Sequence, residues 1–337
     1  LQNSDFDPEL PDYGSGYEDT QAHSPQFVEY ATSVSEDLVE RHGLFGSRIL
    51  EIGCGKGDFL RIIASVAQGT GVGYDPAVGP GAFSEDSSGH PPDVILLEEP
   101  YTADVDVEAE LVVCRHTLEH IADVRGFVSM VADSFRGRRP VLFIEVPDTA
   151  RILAEGEFWV IYYEHCSYFT APTLAWLLQQ SGMEVLHQRL AYGDQYLLTE
   201  ARWDPDLAEG PPPTSHASQV GESARRFARM VTEQHEAWTR RILRWSEDGR
   251  TVALWGGSSK TVSFLAGTSV QQWISAVVDI NPRKHDRFLP GSGLRVSDPA
   301  ELSSVGADVI VAMNPVYVTE IRRDLEAMGV EAEVMGL

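Results

Sequence analysis

Apolar positions gather in short runs separated by amphipathic stretches. Ser47–Ile52, Gly71–Asp75, Val94–Leu97, Leu111–Cys114 and Val141–Val146 read as five strands. Between them, Asp58–Ala67 and Val124–Phe135 carry helical spacing, and a further helix over Pro25–Glu40 precedes the first strand. Short apolar strands alternating with helices predict an α/β fold with a parallel, doubly wound sheet.

The pattern breaks twice. Residues 1–25, rich in Asp, Pro, Gly, Ser and Tyr, read as an irregular arm. Near 204–218, Asp204-Pro205 and Glu209-Gly-Pro-Pro-Pro213 mark a linker. A long helix, Gly221–Ser246, follows. Its stripe of Arg225, Phe227, Met230, His235, Trp238, Ile242 and Trp245 predicts packing against a core. Strands then resume at Thr251–Trp255, Ala276–Asp279 and Asp308–Ala312. Four regions result: an arm and helix (1–45), a first α/β domain (46–203), a linker and long helix (204–250), and a second, smaller Rossmann-like domain (251–337).

Composition narrows the partners. With 51 acidic against 26 basic residues, the formal charge is −25. Such a surface repels phosphate backbones and anionic lipid, so neither nucleic acid nor membrane is expected. No apolar run approaches a membrane span, and no signal-peptide pattern opens the chain. Cys54, Cys114 and Cys166 form no CxxC pair, which fits a reducing, cytoplasmic setting and gives no zinc site. A small-molecule substrate is the expected partner.

The strongest local motif is Glu51-Ile-Gly53-Cys54-Gly55-Lys-Gly57, at a strand-to-helix turn. Glycines there let the backbone take positive φ and approach a ligand. A dinucleotide would need GxGxxG, but Asp58 occupies the third glycine's slot and would face pyrophosphate charge. An acid followed by GxGxG instead resembles motif I of class I methyltransferases, whose loop contacts S-adenosylmethionine. Asp75-Pro76 ends the second strand, where an acid can accept ribose hydroxyls; NAD proteins use the same device. Glu99, after the third strand, is a weaker candidate for the adenine.

The fourth strand leads into Cys114-Arg115-His116-Thr-Leu-Glu-His120-Ile, similar to the "LEHI" segment of many class I methyltransferases. That reading puts Cys114 and Arg115 near the methionine moiety and His120 toward the methyl and the substrate. His116 and His120 lack the glutamate and third ligand of a zinc helix, so no metal is assigned. Tyr162-Tyr163-Glu164-His165 has the make-up of a proton-transfer site: histidine as base, glutamate to bias it or hold a hydroxyl, Tyr162 to donate to an oxyanion. The same segment also reads as an aromatic-packed loop with an ordinary buried histidine.

Several stretches together resemble the sugar C-3′-methyltransferases of deoxysugar biosynthesis. They are Tyr17-Glu-Asp-Thr-Gln21-Ala-His-Ser-Pro25, the Glu51–Gly57 loop, Leu118-Glu-His120, Tyr162–His165, Trp255-Gly-Gly-Ser-Ser-Lys260, Asp279-Ile-Asn-Pro-Arg-Lys284 and Leu289-Pro-Gly291. The resemblance implies a nucleotide-linked 4-keto deoxysugar as substrate. It also implies an enolate that attacks the cofactor's methyl, and His165 as the base. Glu164, Tyr162 and His120 match residues that hold the sugar, and Gln21 falls with the cofactor residues. Tyr17, Tyr163 and Lys260 are expected on the substrate side, Lys260 against a phosphate. The family's N-terminal zinc module with paired cysteines has no counterpart in these residues. Ala191–Tyr196 and Met313-Asn-Pro315 depart from the family pattern.

Other functions stay open at this point: an O- or N-methyltransferase on another small metabolite, an NAD-dependent oxidoreductase or epimerase, or a non-catalytic S-adenosylmethionine-binding protein. The second lacks GxGxxG, and the chain has only three lysines.

Overall fold

The computed structural model describes residues 1–7, 9–10, 20–78, 93–135, 138–207 and 210–337. It contains two compact units. The first comprises 1–22, 27–151 and 163–220; the second comprises 23–26, 152–162 and 221–337.

In the first unit, α1 (Pro25–His42, from residue 27) leads to β1 (Arg48–Ile52), α2 (Asp58–Ala67), β2 (Thr70–Tyr74) and β3 (Val94–Leu97). Then come β4 (Leu111–Arg115), α3 (Val124–Ser134), β5 (Val141–Pro147), α4 (Thr149–Glu155, to residue 151), α5 (Ala171–Gln180), β6 (Met183–Ala191) and β7 (Tyr196–Trp203). The seven strands lie in the order β3-β2-β1-β4-β5-β7-β6. The chain runs from β1 to one side and returns to the other at β4, so ligands are expected at the carboxyl ends of these two strands.

The sheet is mixed, which corrects the expectation of a wholly parallel one. β7 runs antiparallel to both β5 and β6. These last two strands form a hairpin whose loop holds Tyr192, Gly193 and Asp194 at positive φ. β7 is almost wholly buried and β6 only partly, so neither shows the clean alternation that marks a strand in sequence.

Pleat alternation sorts the central strands by face. Leu50, Ile52, Val112, Cys114, Leu142 and Ile144 join one core with α3 and α5. On the other face, Phe59 of α2 stacks on Phe143, and Glu51, Arg115 and Glu145 follow the same alternation toward the strand ends. That second face carries the charge of the site.

The long helix α6 (Thr214–Glu247) begins seven residues before the expected Gly221, inside the stretch read as linker. Its start follows directly on Pro211–Pro213, and Gly221 is accommodated in its interior. Of the expected stripe, Trp238, Ile242 and Trp245 are buried and Phe227 is partly so, while Arg225 is exposed.

The second unit adds β8 (Val252–Trp255), α7 (Ser259–Thr268), β9 (Ala276–Val278), β10 (Val296–Ser297), α8 (Leu302–Val305), β11 (Val309–Ala312), α9 (Val318–Met328) and β12 (Glu333–Gly336). Its five strands are all parallel, in the order β10-β9-β8-β11-β12. No helix among the described residues is long and apolar enough to cross a membrane.

Candidate functional site

The β1–α2 turn is built around Asp75. Its two carboxylate oxygens accept from Gly55 N at 2.8 Å and Ala77 N at 2.6 Å, and Gly53 N and Cys54 N both bond Tyr74 O. Gly53 sits at φ 73°, and a Cβ there would fall 1.9 Å from Thr117 Oγ1, so the loop closes only with glycine. Lys56 ties to the carbonyls of Ala77 and Val78.

This loop fits a sulfonium cofactor. A side chain at Gly55 would meet nothing within 4 Å, which leaves open space beside Asp75, and each carboxylate oxygen keeps a spare lone pair for a ribose hydroxyl. Glu51 is buried with Oε2 unpartnered, and burial pushes its carboxyl up to about 8. Asp58 opens α2 and accepts from the Thr20 hydroxyl. The acids Asp58 and Asp75 in these places suit a cationic ligand and oppose a pyrophosphate, while Glu51, so raised, is neutral at pH 7. Pro76 follows in the turn after Asp75, and Glu99 is exposed beyond β3. Gln21 bonds Tyr196 through its amide. Cys114 is buried, and burial raises its thiol far above its ordinary range.

Arg115 ends β4 on the same face of the sheet as Glu51, and its charge counteracts the burial that raises that acid. Its guanidinium stacks over Phe59 at 4.0 Å and donates to Glu145 at 2.7 Å. Glu145, fully buried, also accepts from His116 Nε2 at 2.9 Å and from the Tyr30 hydroxyl at 2.8 Å. Burial alone would raise its carboxyl, but Arg115 and His116 outweigh that and hold it at about 2. His116 takes positive φ (48°) and aims its other nitrogen at Glu119, 3.5 Å away. Burial would lower its imidazole; hydrogen bonds to Glu119 and Glu145 prevail and raise it to about 9. At neutral pH it is an imidazolium between two carboxylates.

His116 and His120 therefore do not act as a pair. His120 lies edge-on to His165, with ring centroids 4.8 Å apart. Ring nitrogens of these two and a Glu119 oxygen lie within 4.8 Å of one another. His165 is 6% exposed, and burial pushes it down to about 4. It is neutral at pH 7, the form a base requires. Donors of these three types are also the kinds that bind a divalent ion.

Glu164 points out to solvent. Tyr163 is committed to the N-terminal segment: its hydroxyl accepts from Asp7 N and donates to Asp5 O, and its ring packs on Phe6. Tyr162 and Lys260 belong to the second unit, Lys260 in the first turn of α7. Tyr17 lies outside the described residues. Sequence reasoning missed Glu119, Glu145 and Tyr30 and read His116 only as a metal candidate. Glu145 had a signal, being a lone charge in the apolar run Val141–Val146. An open groove lined by Arg48, Thr70, Asp93 and Glu108 lies at the opposite, amino ends of the strands, away from all these groups.

Residues 27–188 match a methyltransferase domain family, and residues 216–332 match the C-methyltransferase C-terminal domain. Among curated proteins, the chain is 26% identical over 316 residues to the C-methyltransferase NovU of Streptomyces niveus, covering 87% of this chain and 73% of that protein. Similar solved structures include a magnesium protoporphyrin IX methyltransferase from Synechocystis PCC 6803 with bound SAH (17% identity, TM-score 0.42, 56% of this chain and 91% of that one). Another is a SAM-dependent methyltransferase from Aquifex aeolicus (14% identity, TM-score 0.42, 59% of this chain and 100% of that one). With its acid-GxGxG turn at the switch point of a Rossmann-like sheet and these two domain matches, the chain is a class I S-adenosylmethionine-dependent methyltransferase with a C-methyltransferase C-terminal domain.

Proposed function

We propose that the enzyme methylates a carbon atom next to the ketone of a nucleotide-linked 4-keto deoxysugar. The observation that carries this reading is His165, buried, neutral at pH 7 and set against His120. A neutral imidazole shielded from water is in the form that can accept a proton, and the match to the C-methyltransferase C-terminal domain favours carbon over oxygen as the methylated atom.

His165 removes the proton alpha to the ketone, and the C–H electron pair passes into an enolate whose oxygen takes the charge. Bound S-adenosylmethionine supplies the electrophilic methyl and leaves as S-adenosylhomocysteine. The enolate carbon forms the new C–C bond as the S–CH3 bond breaks, and the proton leaves His165 for solvent. Asp75 and the Gly53–Gly57 turn would hold the ribose and methionine ends of the cofactor; such positioning is worth up to about 7–11 kcal/mol. His120 lies beside the base on the sugar's side.

The reading is tested without product formation. With S-adenosylhomocysteine bound and D2O as solvent, a nucleotide-linked 4-ketosugar should exchange its alpha proton on the enzyme. His165→Asn should slow that exchange by about 10²–10⁴-fold while the cofactor's Kd stays unchanged. Methyl transfer to oxygen or nitrogen with no exchange would overturn it.

A further inference from the structure

We infer that Glu119 is a positioning residue for His165: its buried carboxylate is the fixed negative charge against which that imidazole takes up a proton. The inference rests on the reading of His165 as the base.

Three observations converge on it. Glu119 is 2% exposed, and while one oxygen faces His116 Nδ1, Oε2 has no hydrogen-bond partner. A carboxylate oxygen lies within 4.8 Å of the ring nitrogens of both His120 and His165. Acid and base are also clamped in one frame, because the Glu119 carbonyl accepts from Ser167 N at 3.1 Å and Cys166 Sγ at 3.3 Å, the two residues that follow His165. Glu164, the neighbour in sequence, is exposed and screened by water.

A buried base has a difficulty that Glu119 resolves. Desolvation keeps His165 neutral, yet the same desolvation opposes the imidazolium formed when it accepts a proton. A carboxylate a few ångströms away offsets that cost. Glu119 must itself stay ionised in a buried place. His116 secures this: burial would raise the Glu119 carboxyl, and the hydrogen-bonded His116 imidazolium holds it below its ordinary value. Glu145 and Arg115 anchor His116 in turn. Among the described residues, the charged or titratable groups facing Glu119 and His165 include Cys114, His116 and His120 from the β4 side, Tyr196 from β7, and Cys166 and Tyr168 from the segment after the base.

The test is a histidine NMR titration of the full chain, labelled at the imidazole carbon between the two nitrogens, with no ligand present. In Glu119→Gln, the His165 midpoint should fall by about one unit or more, and His116 should lose its proton at lower pH than in wild type. Glu119→Asp keeps the charge but withdraws it by a methylene, and should give an intermediate His165 midpoint. It carries the test if the Gln variant does not fold. On methyl transfer to a 4-ketosugar, Glu119→Gln should lower kcat by about 10–100-fold, move the acid limb of the pH profile with the His165 midpoint, and leave KM and the S-adenosylmethionine Kd within about twofold. An unchanged His165 midpoint in a folded Glu119 variant overturns the inference. The two readings fail separately: a fully active His165→Asn removes the base, whereas an inactive His165→Asn with an unmoved midpoint in Glu119→Gln removes only Glu119's role.

Discussion

At the residue scale, the site is a run of alternating charges: Arg115 and His116 on Glu145, His116 again on Glu119, Glu119 beside His165. Breaking one partner leaves the others buried and unpaired. Glu145→Ala should cost about 3–5 kcal/mol in urea denaturation, since buried Arg115 would lose its hydrogen-bonded counterion and His116 one of its two. Each group also sets a pH window. The raised His116 stabilises the fold fully below its unfolded value of 6.5, and that contribution is lost as pH climbs through about 9. The depressed Glu145 contributes above 4.5, and its share is lost as pH falls through about 2. His165 works the other way: its folded value of about 4 lies below 6.5, so the unfolded chain binds its proton first and stability drops as pH falls from 6.5 to 4. His116→Gln should therefore flatten the alkaline fall of the urea midpoint between pH 6.5 and 9. An alkaline limb identical to wild type would show that His116 is not the group responsible.

At the level of elements, the β1–α2 turn and the β4 end do most of the positioning. Gly53→Ala forces a side chain into positive φ and onto Thr117. Calorimetry should show at least a tenfold loss of S-adenosylmethionine affinity, with the enzyme still folded. The first five strands were legible because they are short, apolar and bounded by glycine or acid. The β6–β7 hairpin was not: β7 is buried nearly throughout and β6 only patchily, so neither carries a period. The site was legible where it coincides with a motif, as at Gly53, Asp75, His120 and His165. Its buried acids were not, because a glutamate in a strand or a tight turn gives no hint in sequence of which histidine it will face. The contacts of Tyr163 were not legible for a related reason. Its partners, Asp5, Phe6 and Asp7, lie more than 150 residues away, and no local pattern points to them.

Across the whole molecule, one device occurs twice. In the first unit, Gly53 N bonds the main chain of β2, and Asp75 accepts from Gly55 N and Ala77 N. In the second, Gly256 N bonds Val278 O, and Asp279 accepts from Gly257 N and Asn281 N. The difference is a cation: Lys284 reaches Asp279 at 3.3 Å, while Asp75 accepts from two main-chain amides. A neutralised acid is a poorer acceptor for ribose, so one cofactor per chain is expected, and calorimetry should give a stoichiometry of one. The measurement that bears most directly on the function is the site of the new methyl group. The enzyme is given 13C-methyl S-adenosylmethionine and a nucleotide-linked 4-ketosugar, and the product is read by carbon-detected NMR. The expected result is a labelled methyl bonded to a ring carbon beside the ketone, absent with His165→Asn. A label on oxygen or nitrogen, or full transfer by His165→Asn, would contradict it.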